Sequence, residues 1–215
     1  KGIEVVEDFL CVALANDLGA RGYDADLTTA NNVLVHVPDI NDCVAGFAVL
    51  LKPQGVATFE FPHLMELMKH TQFDTIYHEH FSYLSLTAVH RIFAANGLTV
   101  FDVETLPTHG GSLRVYAQRA DVGAHELNAR VAQMLTTEEA LGMSSYEFYL
   151  DFQGRTNRIK NDLMAFLIEA QRTGKTVAAY GAAAKGNTLM NYAGVRSDLI
   201  EFVIDKKPDK QNKYM

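Results

Sequence analysis

The stretch ADLTTANNVLVHVPDINDCVAGFAVLLKPQGVATFEF, residues 25–61, decides the fold. A short strand is predicted over residues 25–30, followed by Asn31-Asn32 and the apolar run 33–37. Pro38-Asp39 restarts the chain, and Asp39 can cap a helix that carries Val44, Phe47, Ala48 and Leu51. Lys52-Pro53-Gln54-Gly55 is expected to end that helix, and residues 56–61 read as a second strand of the buried type. Strand, helix and strand within so few residues make a βαβ unit, which implies a parallel sheet with a right-handed crossover. The fold class is α/β.

Outward from this unit the periods change. Upstream, residues 5–18 alternate acidic and apolar positions in a helical manner, with Phe9, Leu10, Ala13 and Leu14 on one side. Downstream, residues 62–86 fit neither period and are dense in histidine and aromatic side chains, as loops beyond sheet edges often are. Helical spacing returns at residues 87–95, closed by Asn96-Gly97 as a left-handed cap. Residues 98–106 and 112–118 are strand candidates joined by Pro107-Thr108-His109-Gly110-Gly111, so an antiparallel pair is expected at the sheet edge. Residues 122–175 read as helical almost throughout: Ser144 and Glu147 have capping-box spacing, and Phe152, Ile159, Leu163, Phe166, Leu167 and Ala170 form an apolar stripe that Gly174 stops. A strand at 176–180, a small-residue loop at 181–186, a helix at 187–193 and a strand at 199–204 ending in Asp205 make a second βαβ unit.

Composition narrows the class. The 215 residues carry a net charge of −7 and 48% hydrophobic side chains, which is globular and argues against non-specific nucleic-acid binding. No apolar run approaches the length of a membrane span. Cys11 and Cys43 are too few for a disulfide scaffold and fit a reducing cytoplasm. Both ends, Lys1-Gly2 and the closing KPDKQNKYM, read as cuts within a longer polypeptide.

The densest chemistry lies in Tyr77-His78-Glu79-His80-Phe81. In an extended segment Tyr77 and Glu79 share one face and His78 and His80 the other, whereas a turn can gather all four around one cavity. Imidazole suits proton abstraction near neutral pH, a carboxylate can fix its tautomer, and a phenol can donate to an oxygen that gains charge during enolisation. The other reading makes the same residues hydrogen-bonded structural groups of a long loop. A zinc reading needs, beyond His78 and His80, a further ligand from His36, His63, His70 or a carboxylate, and the zinc-protease helix pattern is broken by Ser82.

Asn31, Asn32 and His36 follow the first strand, at the edge where open α/β sheets bind ligands, though capping and packing explain them as well. Gly181-Ala182-Ala183-Ala184-Lys185-Gly186 follows a strand and opens a helix, so its backbone can approach a phosphate, and Asp205 ends the next strand where a Rossmann carboxylate meets a ribose. The loop lacks the middle glycine of GxGxxG, because Ala183 stands there, and tight helix–sheet packing is the other explanation. Arg114, beside His109-Gly110-Gly111-Ser112, can meet a phosphate or carboxylate or lie on the surface. Lys206, Lys207, Lys210 and Lys213 form a short basic patch.

Four blocks together carry a family likeness: NNVLVHVP (31–38), QFDTIYHEHFSY (72–83), LPTHGGSLRVY (106–116) and AYGAAAKGN (179–187). With them the chain resembles the S-adenosylmethionine-dependent sugar C-methyltransferases, which methylate carbon on nucleotide-linked deoxyketosugars. The resemblance implies a partial Rossmann-like methyltransferase domain followed by long helices and a partial second Rossmann-like lobe. Residues 1–120 correspond to the C-terminal part of a class I methyltransferase domain, 121–174 to a helical connector, and 175–215 to the start of a lobe that holds the nucleotide sugar. It further implies that His80 removes a proton beside the keto group, with Tyr77, Glu79 and His36 lining the same pocket. Asn31 and Asn32 then lie near the methyl donor, and His78, Arg114, Gly181, Lys185 and Asp205 face the substrate.

The resemblance also implies that the glycine-rich donor loop and a zinc-binding domain precede Lys1. No metal is expected in this chain, and Lys207 and Asn212 depart from the family's asparagine and glycine. Oligomeric state is open. An NAD-dependent sugar-nucleotide oxidoreductase or epimerase, using the Gly181 loop and Asp205, is the competing enzyme class. A non-catalytic sugar-nucleotide-binding module is the third reading. If the donor loop does lie outside, calorimetry of this polypeptide with micromolar S-adenosylmethionine is expected to give no saturable heat; tight binding overturns that expectation.

Overall fold

The computed structural model describes residues 2–214. Lys1 and Met215, the two ends remarked on above, lie outside the described residues. The chain divides into two units: residues up to Leu67 together with Glu79–Ser145, and Met68–His78 together with the chain from Tyr146 onward.

In the first unit, α1 (Val12–Ala20) leads into β1 (Ala25–Asn31), α2 (Ile40–Leu50) and β2 (Leu51–Pro62). The last two strands are β3 (Leu98–Leu106) and β4 (Ser112–Arg119), preceded by α4 (Leu86–Ala95) and followed by α5 (Ala129–Ala140); α3 (Leu64–His70) carries the chain toward the second unit. Sheet order is β1-β2-β4-β3. β1 and β2 are parallel, and β4 is antiparallel to both β2 and β3. The expected βαβ unit and the hairpin at the sheet edge are both present.

Alternation explains the core. Ala57, Phe59 and Phe61 of β2 and Leu113, Val115 and Ala117 of β4 are buried, the period of two that a half-covered sheet requires. α2 and α4 lay Val44, Phe47, Val89 and Phe93 on that face. Phe59 sits between Phe47 and Phe93, with both ring pairs edge-on at 4.8 Å. A bulge between Val100 and Asp102 of β3 resets the alternation, so Val100 and Val103 both point inward. α1 closes on α2 at Gly46, where a β-carbon would stand 2.9 Å from the carbonyl of Cys11. Burial pushes the neighbouring Cys43 thiol up to about 11, an inert packing cysteine.

Several boundaries differ from the sequence expectation. The helix expected over residues 5–18 starts only at Val12: Cys11 Sγ accepts from Leu14 N and Asp42 Oδ1 accepts from Val12 N, which fixes the start, and Phe9 stays exposed. Leu51 already opens β2, and residues 52–55 bulge out of the strand instead of ending the helix, with Ala25 paired to Leu51 and Leu27 to Val56. The run 33–37 contains a 3₁₀ turn at Leu34–His36. The helix expected over residues 122–175 is broken between α5 and α6 (Phe152–Arg172). Ser144 and Glu147 do not cap it, because a separate 3₁₀ turn occupies Glu147–Tyr149 and the cap residue Asp151 makes no side-chain cap bond. Only part of the expected stripe is covered: Leu167 and Ala170 are buried, while Phe166 is 65% exposed.

The second unit holds α6, β5 (Ala178–Tyr180), α7 (Ala184–Ala193) and β6 (Phe202–Ile204), with β5 and β6 parallel. Arg155 of α6 donates to the carbonyl of Met68 and to Thr71 Oγ1, and Tyr192 of α7 packs on Phe73. No helix among the described residues is long and apolar enough to cross a membrane. Replacing the fully buried Phe93 with alanine is expected to cost about 3–5 kcal/mol of stability in the first unit, read from urea unfolding.

Candidate functional site

In the first unit polar groups converge at the carboxyl ends of β1 and β2. Parallel pairing puts both ends at one edge, and the antiparallel partner β4 starts there, since Pro62 pairs with Ser112. The chain leaves β1 through Asn31 and Asn32. Asn32 takes φ 55, and its N–H donates to the carbonyl of Glu60 at 2.7 Å. From there the 3₁₀ turn carries His36 to the same rim.

His36 Nδ1 lies 2.8 Å from the carbonyl oxygen of Glu79. A carbonyl only accepts, so Nδ1 carries the hydrogen, and in the neutral imidazole Nε2 is the accepting nitrogen. The His36 ring meets His80 edge-on at 4.9 Å, and Tyr83 lies 6.0 Å beyond His80. The backbone fixes His80 from both sides: Glu79 is held by His36, and the N–H of Phe81 donates to the carbonyl of Val35 at 2.8 Å. Residues 77–79 form a bend and turn, not an extended segment. Tyr77 and His78 belong to the second unit, and Glu79 and His80 to the first. Of the expected cluster, the first unit therefore joins His80 to His36, with exposed Glu79 beside them.

A second polar group sits on the far side of Asn32. Asn32 Nδ2 is 3.4 Å from His109 Nε2, and His109 itself takes φ 55 in the turn Thr108–Gly110. Gly111 follows at φ 119, where a β-carbon would collide with Glu66 at 2.7 Å. Beneath them Glu60, 6% exposed, accepts from Thr108 Oγ1 at 2.9 Å and from Arg114 Nη2 at 2.8 Å. Burial pushes the Glu60 carboxyl up, but the Arg114 and Thr108 bonds outweigh it and hold the group below the usual carboxylate range. Arg114 also lies 3.6 Å from Glu104, which accepts from Tyr116 OH at 2.9 Å. Arg114 thus has two carboxylate partners from its own chain.

His63 and Glu138 form a third, wholly buried pair at 2.7 Å. None of His109, Glu60 and Glu138 stands out in the sequence reading, and His63 enters it only as a further zinc ligand, a role the structure replaces with the Glu138 bond. His109 lay in a quoted hairpin but has no spacing signal of its own, and Glu138 looks like any surface position of an acidic helix.

In the second unit the loop after β5 and the end of β6 line a cavity of about 1000 Å³. Gly181 takes φ 94 and its N–H donates to the carbonyl of Ile204 at 2.7 Å. Asp205 accepts from Ala182 N at 2.9 Å and from Lys207 N at 2.8 Å, with Lys210 Nζ at 3.6 Å. Those backbone donors and the Lys210 charge hold its carboxyl below the usual range. Asp205, Ala182 and Asn212 line the cavity, whereas Gly181 and Lys185 do not. Among the described residues no group of three or more His, Cys, Asp or Glu side chains is arranged to hold a metal ion.

Comparison with known proteins supplies the family. The family described as C-methyltransferase C-terminal domain matches residues 107–215, and a methyltransferase domain family matches residues 13–103. The chain is 36% identical over its whole length to the C-methyltransferase NovU of Streptomyces niveus, and it spans 51% of that relative's length. Among solved structures it is similar to the magnesium protoporphyrin IX methyltransferase of Synechocystis PCC 6803, with a TM-score of 0.35, 14% identity, and 45% of this chain and 46% of that one covered. A second is a SAM-dependent methyltransferase of Thermotoga maritima, with a TM-score of 0.37, 13% identity, and 44% and 56% covered.

The Glu60 geometry fixes a pH dependence. Its folded-state value lies below the ordinary 4.5, so its contribution is present above that pH and lost as pH falls through the lower folded value. Glu60→Gln is expected to lower stability at neutral pH by about 1–2 kcal/mol, and the gap to wild type should shrink near pH ~3. Urea midpoints at the two pH values check this.

Proposed function

The chain belongs to the C-methyltransferase family, and from that premise we propose that the protein containing it methylates a carbon of a nucleotide-linked deoxyketosugar, with S-adenosylmethionine as donor. The observation that carries the reading is the His36–His80 pair held at the carboxyl edge of the sheet by Glu79 and Val35. A carbon acid beside a carbonyl needs a base, and an imidazole whose backbone is tethered on both sides meets that need without reorganising.

In this reading His80 takes the proton from the carbon next to the keto group, giving an enolate on the sugar. His36, with its hydrogen committed to Glu79, keeps the His80 ring upright, and Glu79 carries the tether. The family resemblance assigns Tyr77 as the donor to the oxygen on which negative charge develops. Asn31 and Asn32 suit the donor side, because an exposed amide and a left-handed backbone turn leave polar groups open at the end of β1. S-adenosylmethionine, when bound, supplies the methyl group that the new carbon nucleophile attacks. His78 and Arg114 belong to the substrate side. Arg114 acts there through Glu60 and the hairpin that Glu60 anchors. In the second unit Ala182 and Asp205 present a small, polar wall to the nucleotide, next to Gly181 and Lys185.

Proton exchange at the sugar carbon in deuterated water, without methyl donor, tests the base apart from methyl transfer. In the natural full-length protein His80→Ala is expected to slow that exchange by about 10²–10⁴-fold. Wild-type exchange in a folded His80→Ala protein overturns the assignment.

A further inference from the structure

We infer that Glu138 is a positioning residue that closes both ends of the segment bearing His80. The inference rests on the proposed role of His80 as base. Glu138 is 0% exposed, yet four donors converge on it. Oε1 accepts from His63 Nε2 at 2.7 Å and from Leu86 N at 2.7 Å. Oε2 accepts from Thr87 N at 2.7 Å and from Thr87 Oγ1 at 2.6 Å.

His63 is the first residue after β2, and Leu86 and Thr87 open α4. The residues between them are the excursion that carries Tyr77, Glu79 and His80, and one carboxylate from α5 grips its start and its finish. One backbone bridge draws the same ends together: His63 pairs with Leu84 in parallel register, and Leu64 N donates to Leu84 O at 2.9 Å. Two further bonds, from His36 to Glu79 and from Phe81 to Val35, then fix the short stretch that leads from Leu84 back to His80.

A carboxylate is the group that fits. Its two oxygens accept all four bonds, whereas a carboxamide would turn an N–H₂ toward donors. Burial works against the charge, but the His63 and Thr87 bonds outweigh it and hold the carboxyl below its ordinary range. His63 contributes as a donor: Nε2 is spent on Glu138, while Nδ1 is buried without a hydrogen-bond partner.

The test uses the natural full-length protein with Glu138→Gln, His63→Leu, His63→Gln and Thr87→Val. Glu138→Gln and His63→Leu are expected to speed amide hydrogen exchange over residues 79–86 by about ten- to a hundredfold, with the β-strands unchanged. They should also lower kcat by about 10²-fold at unchanged KM for the methyl donor. His63→Gln, which keeps a donor near the Nε2 position, should restore both readouts. Thr87→Val, which removes one bond of four, should give a smaller change of the same kind and serves if Glu138→Gln does not fold. Unchanged exchange over 79–86, exchange raised evenly through the first unit, or a His63→Gln variant as impaired as His63→Leu overturns the inference. If wild type neither exchanges the sugar proton nor transfers methyl, the reading of His80 fails, and the amide measurement alone then decides the role of Glu138.

Discussion

Parallel pairing of β1 with β2 is the constraint from which the first unit follows. Two parallel strands cannot be joined by a tight turn, so the chain must cross over through α2 and return in the same direction. Both carboxyl ends then open at one edge, and whatever follows each strand is delivered there. Asn32 and His36 follow β1; Glu60 lies near the end of β2 and His63 directly after it. The helices that make the crossover possible also cover one face of the sheet, and the cross-strand row Glu60, Arg114 and Glu104 lies on the other face.

Two buried carboxylates hold that edge in shape, by different means. Glu60 joins a guanidinium and a hydroxyl from the hairpin to the end of β2. Glu138 collects an imidazole, two backbone N–H groups and a hydroxyl, with no cation that is always charged. Each brings together residues tens of positions apart, so the water lost from the carboxylate is replaced by donors that only the folded chain can assemble. A charge without its donors is costly in such surroundings, which penalises loop arrangements that leave either carboxylate unpaired.

The βαβ unit, the hairpin and the second βαβ were legible because their signals are local: Asp39 before an apolar stripe, Gly97 after one, glycines between two alternating runs. The YHEHF block stood out through composition alone. What stayed hidden depended on distant partners. Cys11 starts a helix because Asp42 and Leu14 complete its cap, and the apolar period of residues 5–10 gave no warning of this. The Ser144 and Glu147 spacing was right for a cap, yet the chain turned elsewhere at Glu147–Tyr149. Phe166 fitted the stripe of α6 but is exposed, since periodicity gives a side chain's direction and not what lies opposite. His109 and Glu138 were hidden for the same reason: their meaning lies in Asn32 and His63, far away along the chain.

The hairpin between β3 and β4 has a consequence for how such an edge can vary. Its tip reaches the rim from the pair of strands at the sheet's far end, so residues 107–111 are framed by antiparallel neighbours and take no part in the crossover that delivers Asn32 and His36. On the proposed reading, relatives could lengthen, shorten or recolour that tip and so reshape one side of the rim while the crossover stays as it is. Selectivity and chemistry would then reside on different pieces of backbone, joined where Glu60 accepts from Thr108, where the N–H of His63 meets the carbonyl of Gly111, and where the Asn32 amide meets His109.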